Sequence, residues 1–110
     1  MRTQGAWAEQ QACDFLQSHG VRLIDRNVHC RFGEIDLIMQ QGEQLLFIEV
    51  KYRQRPGFGG AAASVTASKQ RKIRLTAQWY LQQKTWGEPP CRFDVVAIDG
   101  EQINWIQDAF

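Results

Sequence analysis

Two apolar runs separated by a short polar segment lie in the middle of the chain, as they do in two strands joined by a turn. The apolar, β-prone runs Ile35–Met39 and Leu45–Val50 are separated by five residues, Gln-Gln-Gly-Glu-Gln. A polar segment with a glycine between two such runs predicts a β-hairpin. Each run contains one acid, Asp36 in the first and Glu49 in the second, and Lys51 follows two residues after Glu49. Charged side chains are seldom left in a strand unless they are paired or bind a metal, because their desolvation is costly.

The relative position of the two acids depends on the length of the hairpin loop. Side chains alternate across a strand, so Glu49 and Lys51 share a face. A two-residue loop at Gln41-Gly42 would pair Asp36 with Phe47 and leave Glu49 on the diagonal. A four-residue loop would pair Asp36 directly with Glu49. A three-residue loop without a bulge would place the two acids on opposite faces of the sheet.

The hairpin acids have two interpretations at this point. Two carboxylates on one face, with the Lys51 ammonium beside them, suit a hard divalent cation such as Mg²⁺. Alternatively, Asp36 forms a structural ion pair with an arginine such as Arg31 or Arg53, and the Glu-x-Lys tripeptide is incidental. The spacing alone leaves both interpretations open.

Two segments with helical periodicity flank this hairpin. Apolar residues recur at i, i+4, i+7 and i+8 within Gly5–Ser18, which predicts an amphipathic helix. Glu9 lies at the margin of its apolar stripe, where a solvated charge is the ordinary interpretation. A second helix, capped by Ser64 or Thr66, is predicted to continue to about Gln83.

The remaining apolar runs predict three more strands. Val21–Val28 alternates and reads as a first strand, with a bend near Asn27 and with His29–Arg31 in the turn that follows. Cys91–Ile98 and Gln102–Ile106 form a closing pair. The order α-β-β-β-α-β-β predicts an α/β sandwich around a mixed sheet with an antiparallel meander. At 110 residues, the chain is expected to form a single domain over residues 1–110.

Cysteine usage and hydropathy indicate the cellular compartment of the protein. The three cysteines are odd in number and form no C-x-x-C pair, which argues against a disulfide framework or a zinc ribbon. No apolar run reaches membrane-spanning length, and the first residues lack the apolar core of a signal peptide. We therefore expect a cytoplasmic protein that does not enter a membrane.

Positive charge is concentrated in one window although the net charge is only +1. No acid occurs between Tyr52 and Thr85, a distribution that fits a phosphate-bearing partner and fits a solvated helix face equally well. Asp94, by contrast, is expected to be structural and paired with Arg92. The basic residues of the window are Lys51, Arg53, Arg55, Lys69, Arg71, Lys72 and Arg74.

Several of these segments together resemble one known family. The helix acid Glu9, the segment GEIDLI from Gly33, FIEVKYR from Phe47, a basic helix and RFDVVAI from Arg92 closely resemble the YraN family of small bacterial proteins. The resemblance extends over almost the whole chain. That family is itself similar to the PD-(D/E)xK nucleases and to archaeal Holliday-junction resolvases, which implies a restriction-endonuclease-like fold.

The resemblance implies a set of catalytic residues. Asp36 matches the first carboxylate of the nuclease motif, and Glu49 and Lys51 match its (D/E)-x-K. Asp36, Glu49 and the Val50 carbonyl would hold Mg²⁺ or Mn²⁺, with Glu9 binding directly or through water, and Lys51 would orient the attacking water. The chain departs from the family pattern at two positions, having Ala8 where glycine is typical and His29 where arginine is expected.

The resemblance also implies a nucleic-acid partner, with DNA favoured over RNA. If the substrate is a branched junction, a homodimer is expected because two symmetric cuts need two sites. A binding module without cleavage activity and a non-catalytic interaction protein are the alternatives. Gln70, in particular, is equally well explained as a partly buried amide bonded to backbone. Contacts to the phosphate backbone are expected from Arg53, Arg55, Lys69, Gln70 and Lys72.

Overall fold

A computed structural model describes residues 4–53 and 65–110 and has the predicted α/β architecture with a mixed sheet. Arg55, expected to contact the phosphate backbone, lies outside the described residues. The elements in chain order are α1 (Gln4–Ser18), β1 (Arg22–Cys30), β2 (Gly33–Gln41), β3 (Gln44–Arg53), α2 (Ala67–Lys84), β4 (Cys91–Asp99) and β5 (Gln102–Ile106).

The five strands form one sheet in the order β1-β2-β3-β4-β5. The first three strands are an antiparallel meander, β4 runs parallel to β3, and β5 returns antiparallel to β4. The parallel step requires a crossover between β3 and β4, and α2 lies within that connection. β3 is therefore the central strand, and side chains on it are covered by both faces of the fold.

One helix packs on each face of the sheet. On one face, Ala12 and Leu16 of α1 are fully buried against a cluster that includes Leu46 and Ile48 of β3. On the other face, Ile73 of α2 belongs to a second buried cluster. The alternation of β3 side chains between the two clusters accounts for its nearly continuous hydrophobic sequence. The result is a three-layer arrangement, helix–sheet–helix.

Local sequence signals mark the ends of both helices. Gly20, with φ of 82°, follows α1, and its N–H bonds to the Gln17 carbonyl at 3.0 Å, as expected for a glycine stop. Thr66 is the N-cap of α2, and its side chain accepts a hydrogen bond from the Lys69 N–H. Of the two candidate caps, Thr66 is thus correct, and Ser64 lies outside the described residues.

Two predicted turns are placed differently in the structure. The strand β1 continues through His29 to Cys30, because His29 pairs with Glu34 and Cys30 pairs with Gly33. The prediction of a turn at His29–Arg31 was wrong for its first two residues, since cross-strand pairing overrides the weak local signal. Similarly, β4 extends one residue beyond the predicted strand end at Ile98, because Asp99 is paired with Gln102, and the turn lies at Gly100-Glu101.

The end of the chain is anchored by Asp94 on β4. Its carboxylate is fully buried and accepts from the Arg92 guanidinium at 2.9 Å, the Trp105 indole N–H at 2.9 Å and the Asp108 backbone N–H at 2.9 Å. The predicted pairing with Arg92 is confirmed. Phe110 then stacks on Phe93, with centroids 5.3 Å apart. Asp94 therefore ties β5 and the following residues to the sheet.

None of the helices within residues 4–53 and 65–110 has the length and hydropathy needed to cross a bilayer.

Candidate active site

The hairpin register brings the two acids of β2 and β3 to adjacent positions. Paired positions run from Gln41–Gln44 at the turn to Leu37–Ile48, and the next step places Asp36 opposite Glu49. Of the predicted registers, this is the one that pairs the two acids directly. The turn itself is tighter than the four-residue loop considered for that register, since only Gly42 and Glu43 are unpaired.

Asp36 lies where the pairing of β2 with β3 ends. Its carboxylate accepts a hydrogen bond from the Val50 backbone N–H at 2.8 Å. This bond fixes the carboxylate against the backbone of β3, between the side chains of Glu49 and Lys51. An acid in this position substitutes for strand pairing at the end of the hairpin, and its carboxylate also interacts with the side chains of Glu49 and Glu9.

Glu49 is an acid of the central strand and is only 5% exposed. Burial raises the pKa of Glu49 to about 8, and a hydrogen bond with Asp36 together with the charge of Asp36 acts in the same direction. The Lys69 ammonium on α2 lies 3.7 Å from Glu49 Oε1 and, with Lys51, opposes this shift. Glu49 is thus a buried carboxylate with another carboxylate as a close neighbour.

Lys51 lies on the same face as Glu49, as the alternation of the strand predicts. Burial lowers the pKa of the Lys51 ammonium, and the nearby Lys69 ammonium lowers it further. Glu49 and Asp36 act against this change. Two ammonium groups from different elements therefore meet beside two carboxylates.

The helix acid Glu9 reaches the same cluster from α1. It is partly buried, and burial raises its pKa, followed by the charges of Asp36 and Glu34. A hydrogen bond with Asp36 raises the pKa further, and one with Asn27 lowers it. The interpretation of Glu9 as an ordinary solvated charge is therefore wrong, because the side chain turns toward the sheet and interacts with the strand acid.

These residues line one cleft of about 320 Å³. Glu9 enters it from α1, Asp36 from β2, and Lys69 from α2, so three layers of the fold contribute. Arg53, Gln70 and Lys72 lie elsewhere: Gln70 bonds to the Val65 carbonyl at 3.2 Å, and Lys72 lines a neighbouring cleft. Among the residues that the structure describes, the cleft is lined by Gly5, Ala8, Glu9, Glu34, Asp36, Glu49, Val50, Lys51, Tyr52 and Lys69.

Sequence comparison identifies the family. The family model described as "Uncharacterised protein family UPF0102" matches residues 8–98. The chain belongs to the UPF0102 family. It is 51% identical to a UPF0102 protein of Nitrosococcus oceani, covering 99% of this chain and 92% of the relative. It is 53% identical to one of Psychromonas ingrahamii, covering 98% and 89%. The expected membership in the YraN family, which is UPF0102, is confirmed.

The acids of this UPF0102 protein suit an open cation site better than a closed one. Within residues 4–53 and 65–110, no three His, Cys, Asp or Glu side chains are placed so that they could hold a metal ion by themselves. Asp36 instead interacts with Glu49 on one side and Glu9 on the other. Such a set fits Mg²⁺, which is commonly held by one or two carboxylates, keeps several waters and binds substrate phosphate. It does not fit Zn²⁺, since histidine and cysteine ligands are missing from this cleft.

Sequence reasoning assigned no role to Asn27 at this site. Asn27 lies on β1 between the pairs Arg26–Leu37 and Val28–Ile35, and therefore across from Asp36. Its φ of 53° is in the left-handed region, which asparagine tolerates better than most residues. This conformation allows the side chain to hydrogen-bond with Glu9. An asparagine at a strand bend was the available signal, although its partner comes from a distant part of the chain.

The contact between Lys69 and Glu49 was also not predicted. Lys69 was expected to contact phosphate only, because helix periodicity does not specify which strand a side chain faces. In the structure, Lys69 stands in the first turn of α2 and points to the acid of β3. The UPF0102 fold therefore brings six charged groups from four elements, α1, β2, β3 and α2, into one cleft.

Proposed function

We propose that this protein is a metal-dependent endonuclease that hydrolyses phosphodiester bonds in DNA. The observation that carries the proposal is the convergence of Asp36, Glu49 and Lys51 in one cleft where β2 and β3 separate. A structural network needs neither two acids in contact nor a partly buried ammonium beside them. A structural network would also neutralise each acid, as the fold does for Asp94.

The donor set supports Mg²⁺ or Mn²⁺ as the cofactor. Asp36 and Glu49 are the acids that would hold the ion, with the Val50 carbonyl as a third oxygen and Glu9 bound directly or through water. All four residues line the same cleft. When bound, such an ion polarises a phosphate and lowers the pKa of water. Glu9 would remain in place through its bond to Asn27.

The lysines of the cleft would act on the phosphate and on water. Lys51, beside both acids, would orient the attacking water and offset negative charge that develops on the phosphate. Lys69, on the opposite wall, would hold a phosphate oxygen of the strand. These roles need fixed cations at short range, and both side chains are partly buried.

The architecture supports a restriction-endonuclease-like fold with the element order α-β-β-β-α-β-β. In this arrangement the central hairpin presents the acids at one end of the sheet, and the two helices close the sides of the cleft. Branched DNA as the substrate, and a homodimer that would make two symmetric cuts, are the further parts of the proposal. These two parts rest on family resemblance.

The proposal is tested by incubating purified protein with Mg²⁺ or Mn²⁺ and labelled single-stranded, duplex, flap and four-way-junction DNA. The acid-to-amide variant Asp36→Asn is compared with Glu43→Gln, which changes an exposed acid at the hairpin turn. We expect cleavage by the wild type and by Glu43→Gln, none by Asp36→Asn, and none in EDTA.

Two outcomes would contradict the proposal. Equal cleavage by Asp36→Asn would mean that a contaminant or another site is responsible. No cleavage of any substrate, together with salt-sensitive binding of DNA, would make the protein a nucleic-acid-binding module.

A further inference from the structure

A second and larger cleft adjoins the candidate active site. It has a volume of about 600 Å³ and lies between the β1–β2 turn and the first turns of α2. Glu34 and Lys69 line both clefts, so the two spaces are neighbours with a shared wall. The described residues that line it are His29, Cys30, Gly33, Glu34, Thr66, Ser68, Lys69, Lys72 and Ile73.

The charge of this second cleft favours an anion. Lys69 and Lys72 both stand on the α2 wall, and Glu34 is the only acid among the described residues that line the cleft. The first turn of α2 also contains no acidic residue. The hydroxyl of Ser68 adds a hydrogen-bond donor. A phosphate group is the anion that such a wall of lysines binds in a nucleic-acid partner.

The floor of the cleft is apolar and tightly built. Ile73 is 2% exposed, and Gly33 lies so close to α2 that an added Cβ would be 3.2 Å from the Cβ of Lys72. Cys30 lies beside them, with its Sγ 3.8 Å from the Thr76 hydroxyl. A flat apolar group would pack well on this floor. Ligand sites of about 300–1,000 Å³ commonly combine such an apolar surface with a few polar groups.

A nucleotide has both of these parts, an anionic phosphate and a flat base. We propose that the second cleft binds one unpaired nucleotide next to the scissile phosphate, with its phosphate on Lys69 and Lys72 and its base over Ile73 and Cys30. The inference rests on the proposed function and defines the substrate class further. A base that is stacked and paired in a duplex must first leave the helix to enter such a cleft.

The consequence is selectivity for nucleic acid that is single-stranded or locally open. Unpairing a base costs free energy in a duplex and much less at a flap, a junction or a free strand. No base-specific contact is required, because the cleft selects a nucleotide that is already unpaired. Lys69, which lines both clefts, would set the distance between the bound nucleotide and the acids of the active site.

The test uses the thiol of Cys30 as a reporter of occupancy. In a Cys91→Ser background only Cys13 and Cys30 remain, and Cys13 is fully buried. Alkylation of Cys30 by N-ethylmaleimide is followed by mass spectrometry in EDTA, so that no strand is cut. A short oligothymidylate, the matching oligouridylate and a blunt duplex are added in turn, and binding of each is measured by fluorescence anisotropy.

We expect either single strand to slow alkylation of Cys30 several-fold at saturation and the duplex to give much less protection. The difference between the two single strands reports whether DNA or RNA is preferred. Protection should weaken in Lys72→Ala and persist in Arg71→Ala, which removes an exposed cation from the adjacent position of α2.

Two results would overturn the inference. One is binding of the single strand without any protection of Cys30, and the other is equal protection by the duplex. Neither result bears on cleavage, which is measured separately with metal. Conversely, protection of Cys30 by a protein that cuts nothing would support the nucleotide site and contradict the proposed nuclease.

Discussion

Asp94 and Glu49 are buried acids on neighbouring strands, and their surroundings differ completely. Asp94 pairs with Ile48, and Glu49 pairs with Val95 at the next step of the same parallel ladder. Their side chains are 0% and 5% exposed. The similar burial makes the two acids a natural internal comparison.

The carboxylate of Asp94 has donors for both of its oxygens. Arg92 bonds to both oxygens, Trp105 donates to one, and the Asp108 N–H donates to the other. Hydrogen bonds to an ionised acceptor are stronger than neutral ones and offset the cost of burying the charge. This acid is used for structure.

Glu49 differs from Asp94 in the groups that surround its carboxylate. Its close neighbours include the Asp36 carboxylate, and the Lys69 ammonium is at 3.7 Å, longer than a good charged hydrogen bond. The pKa of Glu49 is consequently raised to about 8. The comparison teaches that the number of hydrogen-bond donors, and not burial, distinguishes the structural acid Asp94 from Glu49, for which we propose a metal-binding role.

The largest effect on stability is expected from Asp94→Ala. This change leaves the Arg92 guanidinium without its carboxylate partner and should lower the free energy of unfolding by about 3–5 kcal/mol. Urea unfolding is the measurement. Asp14→Ala, which removes an exposed acid of α1, is the control and should change stability by less than about 0.5 kcal/mol. Similar small losses in both variants would contradict a structural role for Asp94.

Glu49→Gln should stabilise the protein at high pH, whereas Asp94→Ala should destabilise it. The folded protein holds a proton on Glu49 up to about pH 8, whereas the unfolded chain loses it near 4.5. Stability of the wild type relative to Glu49→Gln is therefore greatest below pH 4.5 and falls as the pH rises toward 8. At pH 8 to 9 in EDTA, the variant should be the more stable protein, by about 1–2 kcal/mol. The test is to measure the unfolding of both proteins across this pH range. A difference in stability that does not change with pH would contradict the prediction.

The smallest effect is expected at Asn27, where two variants separate conformation from hydrogen bonding. Asn27→Gly keeps the left-handed backbone at little cost, and Asn27→Ala strains it and should lose about 1 kcal/mol of stability. Both remove the bond to Glu9, so both should raise the pKa of Glu9 equally. NMR titration of the Glu9 carboxyl measures this, and an unchanged titration would show that Asn27 does not hold Glu9.

Local features of the sequence predicted most of the fold. The apolar run Leu45–Val50 and the Thr66 cap are short-range signals, and the structure confirms the strand and the cap that they predict. From the sequence, the register of the hairpin could only be narrowed to a few alternatives, because the periodicity of the strands does not determine the length of the loop. Pairing of Gln41 with Gln44 selected the register that aligns Asp36 and Glu49.

The missed parts of the site depend on contacts between distant segments. Asn27 and Glu9 are separated in the chain by the rest of α1 and the first half of β1. Nothing in either segment specifies that the two side chains meet. The same holds for Lys69 and Glu49, which are joined only when α2 packs on the sheet. Aligning such groups requires the tertiary packing of three layers, which patterns along the chain do not encode.

The central claim is that Glu49 and its neighbours are reserved for a cation, while Asp94 is not. Calorimetric titration of Mn²⁺ into the wild type, Asp36→Asn and the Glu43→Gln control tests it most directly. We predict one Mn²⁺ site in the wild type and in Glu43→Gln, weakened at least about tenfold in Asp36→Asn, with all three proteins folded. Equal affinity in the three proteins, or no binding by the wild type, would contradict the account.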